Sequence, residues 1–327
     1  MRIGLLISGM RPPREAVAVA RDAERAGVAD LWISEDYFER GAFTVATAVA
    51  TGTDRARVGI GVVNPFTRHP LVTAMEFATL DELSGGRAVL GLGASNRVWI
   101  EDRCGIPFTA PLAAVREATA VIRAALAGER VTTAGRHFRT DARLSFPAAR
   151  PDPPIHLGTK GRRGLRLAGE VADGVLLSLL AAPRYVRWAR ELTARPEPPE
   201  TGAYVLAACA ADAGRARAAV RRPLATYLGV HGRHDLTRVA GLPAELADGF
   251  RTAWLAGDPA EHLVTDALID TFAVAGDPAQ CWAGLDRLAA AGLDTAVLRD
   301  PGDPTITDLL ALTAEYQREH RTDRSTS

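Results

Sequence analysis

Short aliphatic runs and longer amphipathic stretches alternate along this chain, and the alternation repeats eight times. The clearest unit runs from Val58 to Gly93. Val58, Ile60, Val62 and Val63 are too few for a helix and are bounded by Gly59 and Gly61, so they predict a buried strand. Leu71, Ala74, Met75, Ala78 and Leu83 then recur at helical spacing, with Glu76, Asp81 and Glu82 on other faces. A second glycine-rich strand, Ala88–Gly93, closes a parallel βαβ unit. The same reading places strands at Ile3–Ile7, Asp30–Ser34, Pro154–Gly158, Ala172–Ser178, Tyr204–Ala210 and Asp294–Leu298. Helices fall at Glu15–Ala26 (stopped by Gly27), Ala42–Thr51, Pro111–Leu126, Gly164–Ala168, Pro183–Arg195, Ala275–Ala290 and Asp303–Glu319.

Eight strand-helix units predict an α/β protein of the (βα)8 TIM-barrel type, with residues 1–320 as one domain and 321–327 as a disordered polar tail. Two insertions stand apart. Alternating short patterns around Ala134-Gly135-Arg136 predict a hairpin at the barrel rim, a candidate lid. The mostly helical stretch from Gly214 to His262, before the last strand, predicts extra helices beside the barrel.

Composition narrows the function classes. The 327 residues carry 39 basic and 39 acidic side chains, which removes the electrostatic footprint of a nucleic-acid binder. No apolar run reaches membrane length. Cys104, Cys209 and Cys281 are odd in number and widely spaced, which predicts reduced thiols, a cytoplasmic protein and no metal site. His231, His234 and His262 lack acidic or cysteine partners at ligand spacing and read as surface or packing residues. Lys160 is the only lysine.

In parallel barrels ligands bind at the carboxyl ends of the strands. Four stretches there carry chemistry: Glu35-Asp36-Tyr37-Phe38, charged and aromatic; Asn64-Pro65-Phe66-Thr67-Arg68-His69-Pro70, polar and proline-stiffened; Gly93-Ala94-Ser95-Asn96; and Gly158-Thr159-Lys160-Gly161-Arg162-Arg163-Gly164. The alternating Gly91 and Gly93 would let a flat ring approach the backbone. The stretch from Gly158 is the best anion site, offering free amides at a helix start, glycines, a hydroxyl and three cations. It is not a P-loop, because G-x-x-x-x-G-K-[ST] is absent.

These stretches, in this order, resemble the luciferase-like monooxygenase superfamily, most closely its coenzyme F420-dependent branch related to methylenetetrahydromethanopterin reductases. Gly-Val-Val-Asn-Pro-Phe-Thr-Arg-His-Pro at 61–70 looks like the loop after the family's third strand. Gly105, Pro107, Phe108, Pro111 and Leu112 keep another family pattern, as do Ala172-Asp173-Gly174-Val175 and Ala275-Gly276-Asp277-Pro278. The resemblance implies a cis peptide at Gly61–Val62, in a bulge backing the deazaflavin. It implies Gly61, Val62, Asn64 and Gly93 beside the ring, and Gly158, Thr159, Lys160, Gly161 and Arg162 at the cofactor phosphate. Asp36, Tyr37, Ser95 and Asn96 would meet the reacting end.

The implied activity is hydride transfer between the deazaflavin C5 and a small organic substrate with an activated C=C or C=N bond, in a homodimer. Tyr37 stands where relatives carry histidine, Ala94 where several carry an acid, and Arg103-Cys104 where they carry Trp-His. These departures point to specialised metabolism and leave the proton donor open. A tyrosine can donate a proton, but with an ordinary pKa near 10 it is a poor base. Two alternatives remain at this stage: an FMN-dependent monooxygenase and a non-catalytic ligand-binding barrel.

Overall fold

The computed structural model describes residues 1–302 and 305–322. In chain order the elements are β1 (Arg2–Ile7), α1 (Pro13–Arg25), β2 (Asp30–Ser34), α2 (Ala42–Gly52), β3 (Arg57–Val63), α3 (Pro70–Leu83), β4 (Ala88–Gly93) and α4 (Pro111–Leu126). The hairpin β5 (Val131–Ala134) and β6 (Arg139–Ala142) follows, then β7 (Ile155–Thr159), α5 (Arg162–Val171), β8 (Gly174–Leu177), α6 (Pro183–Thr193) and β9 (Glu200–Cys209). The extra helices are α7 (Ala213–His231), α8 (Asp235–Ala240), α9 (Ala244–Leu255) and α10 (Asp266–Phe272). The chain continues with β10 (Ala273–Gly276), α11 (Pro278–Ala290), β11 (Thr295–Arg299) and α12 (Thr305–Thr322).

Parallel pairing runs β11-β1-β2-β3-β4-β7-β8-β9 and returns from β9 to β11, which closes an eight-stranded barrel. The eight units read from the pattern are therefore the eight staves. One further strand, β10, pairs with the carboxyl-terminal half of β9, Ala273 opposite Leu206. Its last two residues sit inside the stretch read as a helix start. Ala275 and Gly276 remain extended, and the helix begins at Pro278 behind an Asp277–Gln280 capping box. β9 also begins earlier than its apolar run, because Glu200 is drawn into the barrel floor. The hairpin pairs antiparallel as expected. Arg321 and Thr322 end α12 instead of starting a tail, and 323–327 lie outside the described residues.

The core has two layers. The outer one fills the space between staves and helices. The inner one is small: Trp32, Val89, Leu176 and Val297, with Leu6, Val62 and Tyr204 packed against them. Such a filled interior makes the barrel a solid support. Gly59 belongs to this layer, since a Cβ there would lie 2.5 Å from the Trp32 ring.

Beneath it, the amino-terminal ends of the strands carry an ion network. Arg57 donates to Glu200 at 2.9 and 3.1 Å and also binds Asp30. Arg2 reaches Asp30 at 3.2 Å, and Thr295 donates to Glu200 at 3.0 Å. Burial opposes ionisation of Glu200, but the bonds and charge of Arg57 prevail and hold its carboxyl well below the usual range. Above this floor His156 packs 5.6 Å from Trp32, and burial takes its pKa down to about 4.

Candidate functional site

The opposite end of the barrel is built around the end of β3. Pairing with β4 shifts register between Ile60 and Val63, and the Gly61–Val62 peptide is cis. Tyr204 crosses the interior from β9 and donates its hydroxyl to the Gly61 carbonyl at 2.9 Å. A Cβ on residue 61 would fall 1.9 Å from that hydroxyl and 3.1 Å from Trp32, so only glycine fits. The Val62 side chain turns toward β4 and β7. Its methyl carbons lie 2.7–2.8 Å from where a Cβ would stand on Gly91, Gly93 or Gly158. The glycines of β4 therefore make room for Val62, not for a ring lying directly on the strand. The same contact places the β3 corner beside the segment that carries Lys160.

Asn64 is buried and acts as a hub. Its Oδ1 accepts from the amides of Phe66 (2.9 Å) and Thr67 (3.0 Å), and its Nδ2 donates to the Thr67 hydroxyl (3.0 Å) and to the Tyr37 hydroxyl. Its amide group is thus spent on shaping the loop and holding Tyr37. Trp99 meets the Tyr37 ring edge-on at 4.8 Å. Burial pushes the Tyr37 hydroxyl above its ordinary pKa, against hydrogen bonds with Thr67 and Ser95. Ser95 sits at φ 61°, in the left-handed region. Asn96 is exposed, its Oδ1 accepting from Trp99 N at 3.1 Å.

Asp36 is exposed and immediately precedes Tyr37. The bulk around it raises its carboxyl, opposed by the charge of Arg299 and a hydrogen bond with Ser34. Arg299, at the end of β11, stacks 5.1 Å over Tyr227 of α7. One turn on, His231 of the same helix reaches Lys160, its Nδ1 3.1 Å from the ammonium. One face of α7 therefore spans the mouth from the Asp36–Arg299 side to the Lys160 side.

The Lys160 segment forms a cradle. Gly161 caps α5 without a side-chain bond, and the Thr159 hydroxyl fills the space over Gly164. Burial lowers the Lys160 pKa, and no carboxylate is among the causes. His231 and His234 are not idle surface groups, since both face this lysine. Tyr204, Arg299, Tyr227, Trp99 and the two histidines were missed by sequence reasoning. The available signals were slight: a tyrosine in an aliphatic strand, and His231 four residues after Tyr227.

The sequence profile of the luciferase-like monooxygenase family matches residues 1–295. The chain belongs to that family. A 5,10-methylenetetrahydromethanopterin reductase from Methanolobus tindarius is 32% identical over 319 residues, 93% of this chain and 95% of the relative. An F420-dependent glucose-6-phosphate dehydrogenase from Beutenbergia cavernae is 35% identical over 191 residues, 54% of this chain and 56% of the relative. Among solved structures, the coenzyme F420-dependent tetrahydromethanopterin reductase of Methanopyrus kandleri superposes with a TM-score of 0.85 at 27% identity, covering 96% of this chain and 97% of that one. An FMN-bound Baeyer–Villiger monooxygenase from Pseudomonas putida reaches 0.73 at 18% identity over 97% of each chain, a likeness of fold alone.

Proposed function

We propose that this protein is a coenzyme F420-dependent reductase acting on a small organic substrate with an activated C=C or C=N bond. The observation that carries the reading is the junction of two features at one mouth. The Gly61–Val62 corner and the cationic segment Gly158–Arg162 are joined through Val62 and Gly158. The chain-wide similarity to reductases, one of them named for F420, supports the choice of cofactor. The residues present fit such a group. Among the described residues, a Cβ on Gly161 would meet only His234, at 3.8 Å, and the start of α5 has no side-chain cap, which leaves room for an anion beside Lys160.

In this reading Gly158, Thr159, Lys160, Gly161 and Arg162 hold the cofactor phosphate, while Gly61 and Val62 back the ring and Gly93 makes room for Val62 behind it. When bound, the cofactor supplies hydride chemistry at C5. Tyr37 holds a proton at its phenolic oxygen, raised in pKa so that the proton stays on at neutral pH, and Asn64, Thr67 and Ser95 orient that hydroxyl. Asp36, opposite Arg299, orients the polar end of the substrate. Tyr37, Ala94 and Arg103-Cys104 change the groups that meet substrate, which supports a role in specialised metabolism.

Titration with oxidised and reduced F420, with FMN as the control, tests the proposal. Binding of F420 with hydride transfer to an activated alkene or imine is the expected result. Tight binding of FMN with oxygen consumption, or no binding of either, would overturn it.

A further inference from the structure

The base cluster beside Gly161 has a preset protonation pattern. His234 Nδ1 accepts the amide of Leu236 at 3.2 Å, so its proton sits on Nε2, the side that faces Gly161. His231 Nδ1 lies 3.1 Å from the Lys160 ammonium, which has only protons to offer, so His231 is neutral too and accepts there. The surroundings do not neutralise the lysine. Tyr185 of α6 donates to the Lys160 carbonyl at 2.7 Å, and Arg162 of α5 stacks 5.2 Å over Trp188. Arg251 of α9 donates to the carbonyls of Gly229 and Val230, just before His231. Asp235 of α8, whose charge acts on His234, is held by Arg238 at 2.7 Å and receives the Arg162 amide at 3.4 Å. The remaining ion pair, Arg233–Asp248, is exposed.

We propose that this cluster is a proton-coupled subsite for an oxyanion of the phosphate class. An anion seated against Gly161 draws the Lys160 ammonium off His231, and His231 Nδ1 takes up one proton from solvent. His234 Nε2–H donates to the same anion. The inference rests on the cradle reading above, but it concerns the protein's own bases. Burial first, then the positive charge of Lys160, hold the His231 pKa down to about 3 without an anion. A bound negative charge offsets the second of these causes.

Inorganic sulfate is the probe, because it does not titrate near neutrality and any proton taken up belongs to the protein. Calorimetry of sulfate binding to the full chain, in buffers of different ionisation enthalpy at pH 6, should show net proton uptake, up to one proton per sulfate, with sulfate affinity falling by up to about tenfold per pH unit as pH rises. His231→Gln should remove the uptake and the pH slope while sulfate still binds. Failure of sulfate to bind, binding without proton uptake, or uptake unchanged in His231→Gln would each overturn the inference. F420 titrated in the same way separates the two claims. F420 binding with no proton uptake sinks this inference and leaves the cofactor reading, whereas sulfate-linked uptake without F420 binding does the reverse.

Discussion

At the amino-terminal end of the barrel, Arg2, Asp30, Arg57 and Glu200 hydrogen-bond one another almost completely. At the carboxyl end, Lys160 has a neutral histidine for a partner, and Asp36 is crowded by the mouth with its cation at a distance. The two ends use the same residue types and the same sheet. What differs is whether each charge has its counter-charge built in. A satisfied network fixes the strands in register, while an unsatisfied one leaves interaction energy available for a ligand.

Removing one partner from the floor should have the largest effect. Arg57→Met leaves Asp30 and Glu200 to the half-exposed Arg2, and should cost about 3 kcal/mol of stability in denaturant unfolding. F420 affinity of the folded fraction should stay within about twofold, because nothing at the mouth touches Arg57. A large loss of affinity at unchanged stability would break the comparison.

Lys160→Met should do the opposite. It should weaken F420 binding by about 1.5–3 kcal/mol, the value of a charge-assisted bond, while the melting temperature holds or rises. Unchanged affinity in a fluorescence titration would remove Lys160 from the cradle.

Gly61→Ala sharpens the picture at the corner between the two ends. The new methyl would meet the Tyr204 hydroxyl and should destabilise by about 1–3 kcal/mol through overpacking. Tyr204→Phe removes the blocking oxygen, so the double variant should recover part of that loss. Strict additivity of the two changes would show that the contact is not the cause.

The smallest effects are in the pH dependence. Glu200 has a folded pKa below its ordinary value of 4.5, so its stabilisation is present above that pH and is lost as pH falls through and below it. Asp30, raised by burial, works the other way and makes this acid limb shallower. Lys160 is lowered from 10.5 by burial, so the fold bears the cost of its charge at neutral pH and gains stability as pH rises toward 10.5. Melting curves across pH should show both limbs. Arg57→Met should flatten the acid one and Lys160→Met the alkaline one.

The barrel itself was legible because each stave is a short aliphatic run and each helix an amphipathic one, patterns that need no knowledge of neighbours. β10 was not, since Ala273–Gly276 is too short to carry a period and is held extended only by β9. The same contrast applies at the site. Tyr37, Ser95 and Lys160 announce themselves by their position after strands. The roles of Asn64 and Asn96 do not, because an asparagine looks alike in sequence whether its amide holds a tyrosine or caps a turn. The glycines of β4 were read as room for a ligand ring, yet Val62 fills that room from another strand.

The order of hydrophobic and polar positions determined that this chain forms eight parallel strand-helix units, that its chemistry gathers at the carboxyl ends, and that one lysine beside two glycines starts the fifth helix. Tertiary structure alone decided that Tyr204 fastens Gly61, and that α7 swings His231 onto Lys160 across 71 positions of sequence. The physical reason is that periodicity encodes which face of an element is buried, while the partner met by a buried hydroxyl or ring nitrogen depends on where another element's backbone has already been placed.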